Sequence, residues 1–243
     1  MAHRRKRAWN MDSKRISHTA ALRRVATLAM PTEATFQDEA KLRIMQAAES
    51  LFADRAIESV SLREIAVSSG HGNTNAVQYH FGNRDALVQA IFAWRVWQME
   101  PVRGAALARL EEQGLLQDLP SLMRILCLPI ADLTDANGRH TYAGFLSQYL
   151  LRQRPVGIRH AVDTRPDIAG AIRRIIDLIH DLGDGKSRED QDFQLGLAHL
   201  MFCNMLVLAD NEGLSRGNPD GLRRYVDKGL AMATAALQAG IGR

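Results

Sequence analysis

Cysteine is almost missing. Cys127 and Cys203 are the only two thiols in 243 residues, with no CxxC spacing between them. They supply no disulfide framework and suit a reducing cytoplasm. No apolar run reaches the ~18–20 residues that a membrane span needs. The longest, Leu195 to Ala209, is too short and carries His199 and Asn204. Alternating apolar and polar residues are never sustained, so a sheet is not indicated. Internal repeats and low-complexity tracts are missing from the body. Serine nucleophile elbows, phosphate loops and HExxH are absent too, so no catalytic residue, metal site or cofactor is assigned.

What remains is an ordinary globular composition, 46% apolar and 24% charged. The length fits one large domain or two modest ones. Folding a chain of this size buries roughly three quarters of its extended surface. The net charge of +4 is unevenly spread. Residues 1–31 hold eight Lys/Arg and a single acid, Asp12, whereas the remainder holds 23 basic and 26 acidic side chains. The chain therefore reads as a slightly acidic body with a basic arm, a feature that often meets nucleic acid or anionic surfaces. The arm also has a loose likeness to a mitochondrial transit peptide, and Met11 and Met30 are alternative starts. Residues 1–37 are read as a basic, disordered arm.

The body is all-α, helix after helix at a period of 3.6. Ile44, Ala47, Ala48, Leu51 and Phe52 form a first apolar stripe. Shorter helices are expected at Ser61–Ser69 and at about Asn73–Tyr79. Leu87, Ala90, Ile91, Trp94 and Trp97 mark a longer one that Pro101 kinks or ends. Beyond residue 100 the expected helical units are 101–113, 118–136, 140–153, 166–182, 188–211 and 219–239, separated by Gly/Asn/Pro/Asp clusters. The fold class is thus an N-terminal helix-turn-helix module, residues 38–100, followed by a helical bundle, residues 101–243.

The turn chemistry at residues 60–75 is specific. Ser61 and Glu64 have the spacing of a capping box, with Val60 and Ile65 placed as a hydrophobic staple. Gly70 stands where a left-handed C′ residue belongs. Asn73, Thr74 and Asn75 all cap helices well. Two short helices joined by such a turn describe a helix-turn-helix, whose second helix enters the major groove. Asn73, Thr74, Asn75, Gln78, Tyr79 and His80 carry donors and acceptors suited to base edges, each good contact discriminating by roughly 1–3 kcal/mol. A polar, solvated surface helix would look similar. Residues 38–100 hold six basic and eight acidic side chains. Phosphate contacts must then come from Arg43, Arg63, Arg84, helix-start amides such as those following Ser61, and the arm.

Three stretches carry a resemblance. Arg43-Ile44-Met45-Gln46-Ala47-Ala48-Glu49-Ser50-Leu51-Phe52, Ser61-Leu62-Arg63-Glu64-Ile65-Ala66 and Tyr79-His80-Phe81-Gly82-Asn83-Arg84-Asp85-Ala86-Leu87 together resemble the DNA-binding domain of the TetR (tetracycline-repressor) family of bacterial regulators. The resemblance covers about 50 residues; beyond residue 100 it is architectural only. It implies a homodimer on double-stranded operator DNA, with a small-molecule effector in a variable helical domain. Four departures stand out. Ala56 occupies a position where the family has glycine. The loop from Gly70 to Asn75 is one residue longer. Either Gln78 or Tyr79 takes the place of a DNA-contacting tyrosine, depending on the direction of counting. Arg84 falls where the family has a phosphate-facing lysine.

In the bundle, Leu222, Val226, Leu230, Ala233 and Leu237 form a seam on the last helix, which the resemblance implies is a dimer contact. Trp94, Trp97, Met123, Cys127, Phe145, Tyr149, His180, Phe193 and His199 are candidates for a cavity that takes a mostly apolar ligand. A plain core explains the same residues. The expected activity is therefore a cytoplasmic, homodimeric repressor released from DNA by a small molecule, with the helix from Leu87 to Trp97 as lever. A competing enzyme reading rests on His180-Asp181, a dipeptide seen in all-helical metal-dependent phosphohydrolases. It is a poor motif by itself, and it sits naturally at a helix C-terminus.

Overall fold

The computed structural model describes residues 33–71, 73, 75–152, 165–183, 185–214 and 218–241. Among these residues the chain is helical, with ten α-helices and no strand. They are α1 (Glu33–Gln37), α2 (Glu39–Asp54), α3 (Leu62–Ser68), α4 (Ala76–Phe81), α5 (Arg84–Glu112), α6 (Leu119–Ala131), α7 (Thr141–Arg152), α8 (Pro166–Asp181), α9 (Arg188–Asn211) and α10 (Pro219–Ile241). A single 3-10 turn, Ile57–Ser59, joins α2 to α3.

Helix starts follow their capping residues. Asp38, Ser61, Asn83, Asp118 and Ser187 each accept a hydrogen bond from the amide three residues on. That satisfies one of the four amide donors a helix start leaves without a partner. The Lys41 amide at Asp38 is also the largest influence holding that carboxyl below its ordinary range.

Two expectations are corrected at the ends of the N-terminal module. Residues 33–37, assigned to the arm, form α1, and Phe36 is buried against Trp97 with ring centroids 5.3 Å apart. Residues 1–32 of the arm lie outside the described residues. Pro101 does not end its helix: α5 runs unbroken through it for 29 residues, absorbing the expected 101–113 unit. Pro101 is exposed, so the carbonyl left without a partner four residues earlier can be hydrated. The boundary expected at residue 100 therefore falls within one continuous rod shared by both halves.

The body packs α9 against α7 and α10, and α5 against α6 and α8. One described helix, α9, is long and apolar enough to cross a membrane by length and composition alone. Here it is a partly covered packing helix beside α7 and α10. His140 braces the middle of the body. Its Nδ1 lies 2.8 Å from Asp210 Oδ1 on α9 and its Nε2 lies 3.1 Å from the Ala131 carbonyl of α6. Its amide donates to Asp210 Oδ2 at 2.7 Å. Both ring nitrogens face acceptors.

The seam on α10 is used inside the chain. Leu230, Ala233 and Leu237 are buried, and Val226 packs on the same core. A Cβ on Gly229 would come within 3.0 Å of Met205 Cβ on α9. The small residues of the seam admit the neighbouring helix of the same chain. Leu222 is half-buried at the seam's start.

Candidate nucleic-acid interface and the junction behind it

The turn between α3 and α4 is built by local chemistry. Gly70 has φ +76, a left-handed conformation that favours glycine. Its amide donates to the Val67 carbonyl at 3.0 Å and the His71 amide to the Ala66 carbonyl at 3.0 Å, completing a Schellman motif. Ser69 Oγ lies 2.9 Å from His71 Nδ1. Asn73 Oδ1 accepts from the Asn75 amide at 2.9 Å, and the Asn73 carbonyl accepts from Ala76. Asn73 is therefore the residue that turns the chain into α4, and the Asn75 side chain makes no capping hydrogen bond. Gly72 and Thr74 lie outside the described residues.

Ala76 and Val77 are buried under α4, and its opposite face is open. Asn75, Gln78 and Tyr79 are exposed at i, i+3 and i+4, a single helical face. Tyr79 is 85% exposed. Gln78 and Tyr79 are both exposed, so either register keeps its residue on the open face. His80 is half-buried, with its ring 5.0 Å from Tyr79 and 6.2 Å from His71. Desolvation pushes its pKa below the ordinary value, with smaller influences from Asp38, Lys41 and His71.

The box at Ser61 is half formed. Ser61 Oγ accepts from the Glu64 amide at 3.1 Å, but the Glu64 carboxylate pairs with Arg55 at 2.5 Å instead of reaching back. Val60 and Ile65 are both fully buried, as a staple requires. Ala56 has φ −54, a conformation open to any L-residue, so alanine sits there without strain. Arg63 is exposed with no ion pair among the described residues, whereas Arg43 is exposed but paired with Glu39 at 2.9 Å. Arg84 departs from expectation. Its Nη2 donates to the Val60 carbonyl at 2.8 Å, tying α5 to the start of α3. That makes it a brace for the reading module first.

Behind this face lies a buried ionic junction that the sequence reading missed. Glu49 on α2 is 1% exposed, and both its oxygens accept from Arg95 on α5 at 2.7 Å, a bidentate pair. Thr141, the first residue of α7, donates to the same carboxylate at 2.7 Å. Arg139 pairs with Asp54 at the end of α2, and this raises the Arg139 pKa. A Cβ on Gly144 of α7 would sit 2.8 Å from Ala53 Cβ, so α2 and α7 touch almost backbone to backbone. The signal was available: Glu49 and Arg95 fall on otherwise apolar stripes, where an unpaired charge is prohibitive.

The expected cavity residues separate. Phe145 and Tyr149 belong to a buried aromatic row, Phe92–Tyr149–Phe145–Tyr142, with centroids 5.8, 6.0 and 6.0 Å apart. Trp94 is covered by the Arg95 guanidinium 4.0 Å from its ring centre. Met123 and Cys127 are fully buried on α6, and burial pushes the Cys127 thiol up to about 12. Trp97 packs toward α1 instead. Phe193 is 46% exposed on α9 and cannot line an internal cavity, while His199 is half-buried on the same helix. His180 is buried and Asp181 exposed, so the dipeptide does not converge on one point. His180 Nε2 lies 3.1 Å from Asp192 Oδ1, off the hydrogen-bond direction.

A capped helix, a glycine turn and a second helix with one buried and one open polar face define a helix-turn-helix DNA-binding protein. Residues 44–91 match the family described as bacterial regulatory proteins, tetR family. The N-terminal module is thus similar to the DNA-binding domain of that family, which supports a DNA-binding transcriptional regulator. No curated protein matches the chain.

Proposed function

We propose that the chain works in the cytoplasm as a homodimeric repressor and leaves its operator when a small molecule binds the body. The observation that carries this reading is the uncovered face of α9. Phe193, Leu197, Met201 and Leu208 are exposed at i, i+4, i+8 and i+15, close to one line along the helix. An apolar stripe of this extent asks for a partner. A second copy is the occupant that also serves the reading helix, since two-fold pairing sets two α4 helices at half-sites about one turn of DNA apart. Exposed Met232 with Ala231, Ala235 and Ala239 extends the available surface on α10.

Release then follows from a population shift, for which reversing occupancy from 99:1 to 1:99 needs ~5.5 kcal/mol of differential binding. The route from body to module is the α2–α7 contact together with α5, a broader connection than α5 alone. The test combines light scattering with recovery of genomic fragments on the purified protein. A dimer that retains discrete DNA sequences is expected. Leu197→Glu with Met201→Glu should give a folded monomer that has lost most operator affinity. A wild-type monomer throughout the micromolar range overturns the dimer.

A further inference from the structure

Arg95 and Arg103 stand two turns apart on the same face of α5, and both are buried. Arg95 has a full carboxylate partner in Glu49. Arg103, 1% exposed, has none among the described residues. Its Nη2 donates to the Leu126 carbonyl at 2.9 Å, while its Nε and Nη1 are shielded from solvent without a hydrogen-bond partner. Glu100, one turn earlier, is already committed, because its two oxygens accept from the Ala171 and Ile172 amides at 2.7 and 3.1 Å. Those amides open just after Ala169, where α8 is broken by a non-helical residue. Cys127 is a neutral neighbour, its thiol raised far above physiological pH. Burial depresses the Arg103 pKa, but a guanidinium does not deprotonate in proteins. Among the described residues, the core is therefore one carboxylate short.

We propose that Arg103 is the recognition group for an acidic effector, a small molecule with an apolar body and one carboxylate. This rests on the ligand-responsive reading above and names the chemistry of its ligand. Nη2 carries two hydrogens, and Leu126 uses one. Whichever edge it occupies, the other edge, Nε with Nη2 or Nη1 with Nη2, stays free for a bidentate carboxylate. One charge is missing, which matches a monoanion. The remaining surroundings are apolar, with Met99 one turn back, Leu126 and Cys127 on α6, and the Tyr142 ring nearby. Arg103 also lies about 12 Å along α5 from Arg95, at 1.5 Å per residue. A carboxylate bound there acts on the same rod that anchors the DNA-binding module.

The test measures melting of the full-length protein with benzoate, phenylacetate, hexanoate and decanoate, each against its primary amide at constant ionic strength. At least one acid is expected to raise the melting temperature by several degrees more than its amide. Arg103→Met should fold as well as wild type or better, because a lone buried charge is replaced by an apolar chain of similar length. It should lose the acid preference. Arg103→Lys keeps the charge without the fork and should weaken the acid at least tenfold by calorimetry, which decides the matter even where the methionine variant fails to fold. No acid exceeding its amide in wild type, or a preference that survives in either variant, overturns the proposal. Operator binding measured alongside separates the two readings. DNA release by an uncharged compound alone preserves a ligand-responsive regulator and removes the acidic effector.

Discussion

The N-terminal module and the body handle polar groups differently. In the module, turns are closed by neighbours in sequence. Ser61, Gly70, Asn73 and Asn83 each find their partner within five residues. In the body, polar groups are satisfied across long separations, as with Asp210 at His140 or Glu100 at the α8 amides. Some are left open, among them the Arg103 guanidinium, Gln148 Oε1 and the His180 ring. Local closure fixes the ends of α3 and the start of α5 through neighbours in sequence. In the body, closure is long-range and, at several buried groups, incomplete. The junction of Glu49, Arg95 and Thr141 is where the two styles meet.

The largest expected effect breaks that junction. Glu49→Ala leaves Arg95 buried without its counter-ion and should cost about 3–5 kcal/mol, read by urea unfolding. The double variant Glu49→Leu with Arg95→Met should recover most of the loss. Full loss persisting in the double variant would show that the pair is not the source.

A smaller effect is expected at the α2–α7 contact. Gly144→Ala forces a methyl against Ala53, at about 1–3 kcal/mol for overpacking, offset by just under about 1 kcal/mol of helix propensity. Ala53→Gly in the same chain should relieve it. An unchanged melting temperature in the single variant would mean that the helices separate freely.

On the module side, Asn75→Ala and Tyr79→Ala should leave stability within about 0.5 kcal/mol, as exposed substitutions do. Each should weaken specific operator binding by about 1–3 kcal/mol in a salt-controlled shift assay. Arg84→Ala sharpens the contrast, because it should lower stability and DNA binding together. Unaltered stability there would return Arg84 to the phosphate-facing role implied by the family.

The smallest effect concerns His80. Its folded pKa lies below the ordinary 6.5, chiefly from desolvation. The unfolded chain therefore binds more protons near that pH, and this contribution is present above 6.5 and is lost as pH falls through the folded value. The imidazole resonance should titrate with a midpoint under 6.5. A midpoint at or above it would place the ring in water.

The legibility of the chain follows the same division. The helix start at Ser61, the glycine turn and the outward face of α4 could be read from residues because each depends on neighbours within one or two turns. The α10 seam could not be assigned to its partner. Leu230, Ala233 and Leu237 show that an apolar stripe meets something, and the stripe is the same whether the other helix belongs to this chain or to a copy. Pro101 illustrates a different limit, since a break in propensity was overridden by packing on both sides of it.

Amino-acid order alone pointed to an all-helical chain with a reading module at residues 38–100, because caps, turns and 3.6-residue periodicity act over short distances. Only the tertiary structure decided that Glu49 neutralises Arg95, that Glu100 is consumed by α8 and that Arg103 is left over. Charge pairing in a core depends on which groups are desolvated together, and that is settled by how distant helices pack.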